Sequence, residues 1–370
     1  MTDNDFIFDT NIPNDRIDIS ADPILKIKKL DEENDNELRL QIEGPSIDNS
    51  VINALRRTIM MSIPIYAFHR SNIFIEVKKS IYMYNNDLIY NQIETLPIFD
   101  IPNYFDLENP EKFLPTDVMR SLFGKFIQEK YVETDVDPNT AQDEKIETDI
   151  NKKLFKIELS LNVKNNTGSD KYVSTHDAVL KIDNKTSNSY RKRDPISIIV
   201  LKPNEEVSLR AEANLGISKM HASYEATTNA IHKEITPMKY ILYFETLEQL
   251  EKELIFTKAC NILKKKLQYL NSFIKKQFSE ERDISEIIEL QLFGEDHTLG
   301  CLLATALQKC EYVETAGYNM PHPFTYQIVI KYKLYAESKK GPIAVLIECN
   351  NYLVKVFDTI LNKFAAVDKK

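Results

Sequence analysis

In the stretch FGEDHTLGCLLATALQ, Phe293 to Gln308, two carboxylates, a histidine and a threonine stand directly before an apolar run. Such residues serve three chemistries. A histidine ligates a metal or acts as a base, and Asp or Thr caps a helix. A metal ligand needs partners at set spacing, and Asp296, His297 and His322 form no HExxH or comparable pattern. A base needs a nucleophile, and neither GxSxG nor a Cys-His signature occurs. The favoured reading is structural. Asp296 or Thr298 caps a helix, Glu295 and Asp296 suit its positive end, and His297 hydrogen-bonds locally. A metal-dependent hydrolase using Asp296, His297 and His322 is the competing reading.

AGYNMPHPF (316–324) reads the same way. Gly317 permits a turn, Pro321 and Pro323 fix an extended entry into the next strand, and His322 between them is expected to be buried. The glycines at 294 and 300 form no phosphate cradle, since neither GxGxxG nor a P-loop is present. Cys260, Cys301, Cys310 and Cys349 include no CxxC pair, which points to reduced thiols in a cytosol-like compartment rather than a zinc or disulfide framework.

The chain has 370 residues, 43% hydrophobic and 28% charged, with a net charge of −9. That is room for two or three domains and a sizeable core. An acidic chain makes a poor first contact for nucleic acid. The lysines at 264–266 and 275–276 keep a free-standing nucleic-acid binder open as a second alternative, beside the plainer reading of a solvated or partner-facing helix side. Residues 1–23 read as an acidic, flexible or partner-ordered tail, not a signal peptide, and no apolar run reaches the roughly 20 residues of a membrane span.

The elements that would position these residues follow from periodicity. Strands are expected at Ile24–Leu30 and over LRLQIEG. A helix capped by Asp48, Asn49 or Ser50 must stop at Pro64, with Ile52, Leu55, Ile59 and Ile63 on one face. Asn72–Lys79 is a strand. DVMRSLFGKFIQEKY is a short helix, and the acidic stretch Val132–Asn151 a loop. LFKIELSLNVKNN and ISIIVLKPNEEVSLRAEANLG are strands, the second turning at Pro203 and Asn204. Residues 93–210 thus form an inserted β-rich domain. A long helix spans Leu247–Phe278.

Strand, polar turn, helix, strand then recurs about 250 residues on: ELRLQIEG, VINALRRTI and NIFIEVK against IELQLFGED, LGCLLATAL and TYQIVIKY. Two such units can close one core helix to helix about a pseudo-two-fold axis. The seam expected from the apolar faces is Ile52, Leu55 and Ile59 against Leu299, Leu302, Leu303 and Leu307.

DHTLGCLLATAL followed by AGYNMPHPF resembles the small alpha-like partner in cellular RNA polymerases, the eleventh subunit of polymerase II or the archaeal L type. NSVINALRRTIMMSIPIYAF with NIFIEV, and later GISKMHASYEATTNA, resembles the larger alpha-like partner: the third subunit of polymerase II, the archaeal D type or the bacterial alpha N-terminal domain. Both in one chain is similar to the fused alpha-like chain of large cytoplasmic DNA viruses.

The resemblance implies an α+β chain of two alpha-N-terminal-type modules packed as an intramolecular pseudo-dimer. One is discontinuous, 24–92 and 211–280, the insert lies at 93–210, and the smaller module at 281–370. The implied function is a non-catalytic assembly platform of a DNA-directed RNA polymerase. It would dock the two largest subunits and a small accessory subunit, meet DNA and RNA only through the complex, and act in the host cytoplasm, in viral factories or in the virion. Arg56, Arg57, His221 and Tyr224 are then docking candidates, with Asp296, His297, Thr298, Gly317, Pro321, His322 and Pro323 a structural motif. The implied insert holds no cysteine, so no metal or other cofactor is expected, and no bacterial-type C-terminal DNA-binding domain is present.

Overall fold

The computed structural model describes residues 16–32, 34–79, 85–101, 110–124, 154–278, 282–322 and 327–368. The acidic stretch 132–151 and Pro323 lie outside them.

Two short strands, β1 (Lys26–Lys29) and β2 (Glu37–Glu43), open the chain. Alternation along β2 sends Leu38, Leu40 and Ile42 inward, all fully buried. Helix α1 (Asn49–Met61) begins where Asp48, in extended backbone, accepts the N–H groups of Ser50 and Val51. It ends at Ser62, two residues before Pro64. Then come β3 (Ile65–Lys79), α2 (Asn86–Glu94) and α3 (Thr116–Phe123). A run of strands follows: β4 (Ile157–Lys164), β5 (Lys171–Ser174), β6 (Ala178–Ile182), β7 (Lys185–Ser187), β8 (Ser197–Leu201) and β9 (Glu206–Gly216). The turn before β9 carries Asn204 at φ 68°, a left-handed position that asparagine tolerates.

A hairpin of β10 (Thr227–Thr236) and β11 (Lys239–Thr246) leads into the long helix α4 (Lys252–Gln277). The C-terminal part is β12 (Ile288–Phe293), α5 (His297–Lys309), β13 (Val313–Asn319), β14 (Gln327–Leu334) and α6 (Pro342–Asp368).

The strands form antiparallel sheets in the orders β1-β2-β11-β10, β12-β14-β13, β3-β9-β4-β6-β7 and β5-β8. Helices beside antiparallel sheets make the class α+β. The repeat is present, but its third member is not the one expected from the sequence. β2, α1, β10, β11, α4 and β12, α5, β13, β14, α6 share one element order and one strand order, first-third-second. NIFIEVK lies in β3, which pairs with β9 in another sheet, so β11 is the counterpart of β14. Both NIFIEVK and KYILYFET alternate, and alternation does not say which sheet a strand joins. β9 runs through residue 210 without a break, so the five-stranded sheet takes strands from both sides of the expected insert boundary.

α1, α4 and α6 pack on the first repeat sheet, α5 packs on the second, and the four helices pack on one another. α4 lies along α6, and α1 packs on both α4 and α5. Buried polar side chains tie the layers. Asn350 donates to the Leu267 carbonyl at 2.7 Å, and the Tyr352 hydroxyl to Ser46 Oγ at 2.9 Å.

Three local expectations are corrected. The tail does not stay apart up to residue 23: Ile17 N–H donates to the Lys309 carbonyl at 2.7 Å, and Ile19 is buried in the core. Alternating isoleucines in an acidic stretch are enough to dock it. Gly317 is not in a turn. It is a buried residue of β13 opposite Lys331, where lack of a side chain suits a close-packed strand. His322 is exposed, not buried, as is Pro321 before it. No helix among the described residues is long and apolar enough to cross a membrane.

Candidate functional site: the seam between two helices

α1 and α5 meet through a buried apolar face closed at each end by charge. Ile52, Leu55, Ile59, Leu302, Leu303 and Leu307 are fully buried, and Leu299 nearly so. Small spaces left between the helices are lined by Val51, Thr58 and Met61 of α1 and by Leu299, Leu302 and Ala306 of α5. Val51 and Thr58 lie about a quarter turn from Ile52 and Ile59 at 3.6 residues per turn. α1 therefore buries two faces, one against the hairpin strand β10 and one against α4 and α5. The sequence pattern marked burial and not which neighbour causes it.

The charged ends involve Asp48, singled out from sequence only as a cap, Lys266, only as part of the lysine run, and Lys309 and Lys219, which sequence reasoning missed. Lys309 Nζ lies 2.6 Å from Asp48 Oδ2. At the other end Arg57 Nε donates to Thr298 Oγ1 at 2.7 Å, and its Nη2 lies 3.4 Å from Asp296 Oδ2. Lys219 reaches the same carboxylate at 3.6 Å. Asp296, not Thr298, caps α5 by accepting the Thr298 N–H at 2.8 Å. Burial opposes its charge, but Lys219, the Thr298 hydrogen bonds and Lys266 outweigh that and hold the carboxyl well below the usual range. Glu295 is 1% exposed and paired with Lys266 of α4 at 2.8 Å. Burial pushes its pKa up, against the pull of Lys266 and Lys219.

His297 is exposed at the first turn of α5, its Nδ1 3.2 Å from the Tyr318 hydroxyl of β13, a partner distant in sequence. Gly300 makes room for that tyrosine: a Cβ there would sit 2.5 Å from the Tyr318 ring. Asp296, His297 and His322 bring no three ligand atoms together among the described residues. The lysine run is committed in part, with Lys264 on Asp358 at 2.8 Å and Lys266 on Glu295.

Of the docking candidates, Arg57 is spent within the fold. Arg56 is half-exposed and bonded to Asn53 Oδ1 at 3.0 Å, and among the described residues it has no ion pair. Burial and the adjacent Arg57 charge both push its pKa down. His221 is exposed. Tyr224 is buried, its ring seated where a Cβ on Gly216 would come within 2.6 Å. It supports the segment rather than presenting a surface.

Two family matches bear on this seam. The RNA polymerase Rpb3/Rpb11 dimerisation domain matches residues 39–267, which carry α1 and the first part of α4, and again residues 287–363, which carry α5 and most of α6. The chain belongs to the RNA polymerase Rpb3/Rpb11 dimerisation-domain family. A protein of Acanthamoeba polyphaga mimivirus named as a DNA directed RNA polymerase subunit is 54% identical over 93% of this chain and 94% of its own length. Shorter matches include Caenorhabditis briggsae RPAC2, a subunit of DNA-directed RNA polymerases I and III, 35% identical over 29% of this chain and 68% of its own length. The RNA polymerase subunit Rpo11 of Saccharolobus shibatae is 49% identical over 13% of this chain and 51% of its own length. As an Rpb3/Rpb11-type chain it holds both domain matches in one polypeptide, and its two capped helices meet at the seam.

Proposed function

We infer that this chain is a non-catalytic assembly subunit of a viral multisubunit DNA-directed RNA polymerase, in which both alpha-like modules are fused as an intramolecular pseudo-dimer. The observation that carries the reading is the pairing of the two family matches with the packing of α1 on α5. A heterodimer seam buries roughly 2,000–5,000 Å² when obligate. Fusion replaces encounter of two subunits with an effective concentration on the order of mM. The platform so formed docks the two largest subunits and a small accessory subunit, with nucleic acid reached through the complex. The inserted strands β4, β6 and β7 extend the sheet that β3 and β9 begin. The setting is the host cytoplasm, the viral factory and the virion, as fits the mimivirus relative.

Arg56 and His221 are the docking residues, with Tyr224 as support. Arg56 is suited because arginine desolvates readily and meets carboxylates in a bidentate fork. Affinity purification of the tagged chain from infected cells should recover both largest subunits. Arg56→Glu should keep the wild-type melting temperature and lose at least about tenfold in co-purified large subunits, the order expected for one interface hot spot. Undiminished recovery by the variant would remove Arg56 from the interface. Absence of both large subunits from the wild-type preparation would remove the assembly role.

A further inference from the structure

Two histidines and a glutamate from three separate segments converge beside the segment after β9. His69 lies within β3, Glu94 ends α2, and His221 precedes a short helical turn. One ligand atom from each lies within 4.8 Å of the other two. The imidazoles meet edge to face with centroids 4.9 Å apart. No hydrogen bond or ion pair joins any two of the three among the described residues, so the cluster is not a closed internal salt bridge.

Each member is held from behind. His69 Nδ1 is 2.8 Å from Ser71 Oγ, and His221 Nδ1 is 3.0 Å from Ser223 Oγ. The Arg70 N–H donates to Glu94 Oε1 at 2.8 Å. The Arg70 guanidinium is drawn off to Asp87 and the Tyr90 ring. The Tyr224 ring stacks parallel to His69 at 6.4 Å. A serine hydroxyl beside each Nδ1 can accept that ring's N–H, and a backbone N–H fixes the carboxylate, the kind of outer partner that orients metal ligands.

We propose that His69, Glu94 and His221 form a site for a divalent transition ion of the zinc class. Two imidazoles and one carboxylate suit zinc better than magnesium or calcium, which take oxygen sets. Three protein ligands leave a fourth position for water. Bonds of roughly 2.0–2.2 Å require the three atoms to draw together slightly, which side-chain rotation supplies. The ion binds Nε2 of each ring, and Nδ1 then carries the proton and donates to the serine hydroxyl. The backbone N–H groups of Ser71 and Ser223 also reach these Nδ1 atoms, at 3.3 and 3.2 Å, so loading moves the ring proton from Nε2 to Nδ1. The ion thereby pins the segment that bears Lys219, whose ammonium pairs with Asp296 at the seam. The site does not depend on the assembly role.

The test uses the full purified chain, stripped with chelator and titrated with zinc chloride by calorimetry. Histidine nitrogen shifts measured by NMR report the tautomer. One equivalent should bind, with two rings changing to the Nδ1-protonated form. His221→Ala, at an exposed position that leaves folding intact, and Glu94→Gln should each weaken binding at least about tenfold, the scale seen for disturbed metal sites. His176→Ala, remote and exposed, should bind as wild type. Substoichiometric binding by the wild type, or wild-type affinity in His221→Ala, would overturn the proposal.

Discussion

Asp48 and Asp296 hold the same position, the N-cap, of two antiparallel helices, and each pairs with a cation from the other helix. Asp48 meets Lys309 at 2.6 Å, and Asp296 meets Arg57 at 3.4 Å. Reciprocal pairing of this kind is the mark of a two-fold related contact. Here it lies within one chain. The carboxylates of the motif that looks like an active site in residue type are used to close the seam.

Asp48→Ala removes two backbone hydrogen bonds as well as the ion pair. The expected loss is about 1–2 kcal/mol, mostly from the cap. A double-mutant cycle with Lys309→Ala should show coupling below about 1 kcal/mol, since the pair is only partly buried. Urea midpoints at constant slope measure both. A coupling of several kcal/mol would mean the ion pair, and not the cap, dominates.

Lys266→Ala should be far more costly, about 3–5 kcal/mol, because it strands the buried Glu295 carboxylate. Replacing both partners, Lys266→Met with Glu295→Leu, should recover most of that loss. Thermal or urea unfolding separates the cases. Equal destabilisation of the single and double variants would show that the pair matters through packing alone.

Burial pushes the Lys258 ammonium down to about 8, from an ordinary 10.5. Between these values the unfolded chain binds more protons than the folded one, so stability rises with pH across that window. Below pH 8 the folded chain carries the cost of the buried charge, on the order of 3 kcal/mol at 1.36 kcal/mol per unit. Lys258→Met should raise the urea midpoint at pH 7 and flatten its rise between pH 8 and 10.5. An unchanged slope would place the titration elsewhere.

Gly300→Ala sets a helix-propensity gain of about 1 kcal/mol against a clash with the Tyr318 ring. The ring reaches from β13 onto α5 at Gly300, so the clash should win by roughly 1–3 kcal/mol. Adding Tyr318→Ala should restore part of the loss. Stabilisation by Gly300→Ala alone would show that the ring moves freely.

The sequence by itself determined the buried faces of α1 and α5 and where those two helices begin. Carboxylates before apolar runs placed the starts of α1 and α5, because a cap is a local interaction between a side chain and N–H groups two or three residues on. The recurrence of one element pattern at both ends disclosed two related units. Tertiary structure decided what each buried face touches. α1 carries apolar residues on two faces, yet one face meets β10 and the other α4 and α5. β3 and β11 alternate alike, yet only β11 joins β2. Arg56 and Arg57 are adjacent and identical, but the helical turn of about 100° between them sends one to Asp296 and leaves the other without an ion pair among the described residues. His69, Glu94 and His221 show no spacing at all, since they are joined only when β3, α2 and the segment after β9 come together. Periodicity is a property of the backbone's own geometry, whereas partners arise from which distant segments the chain brings into contact.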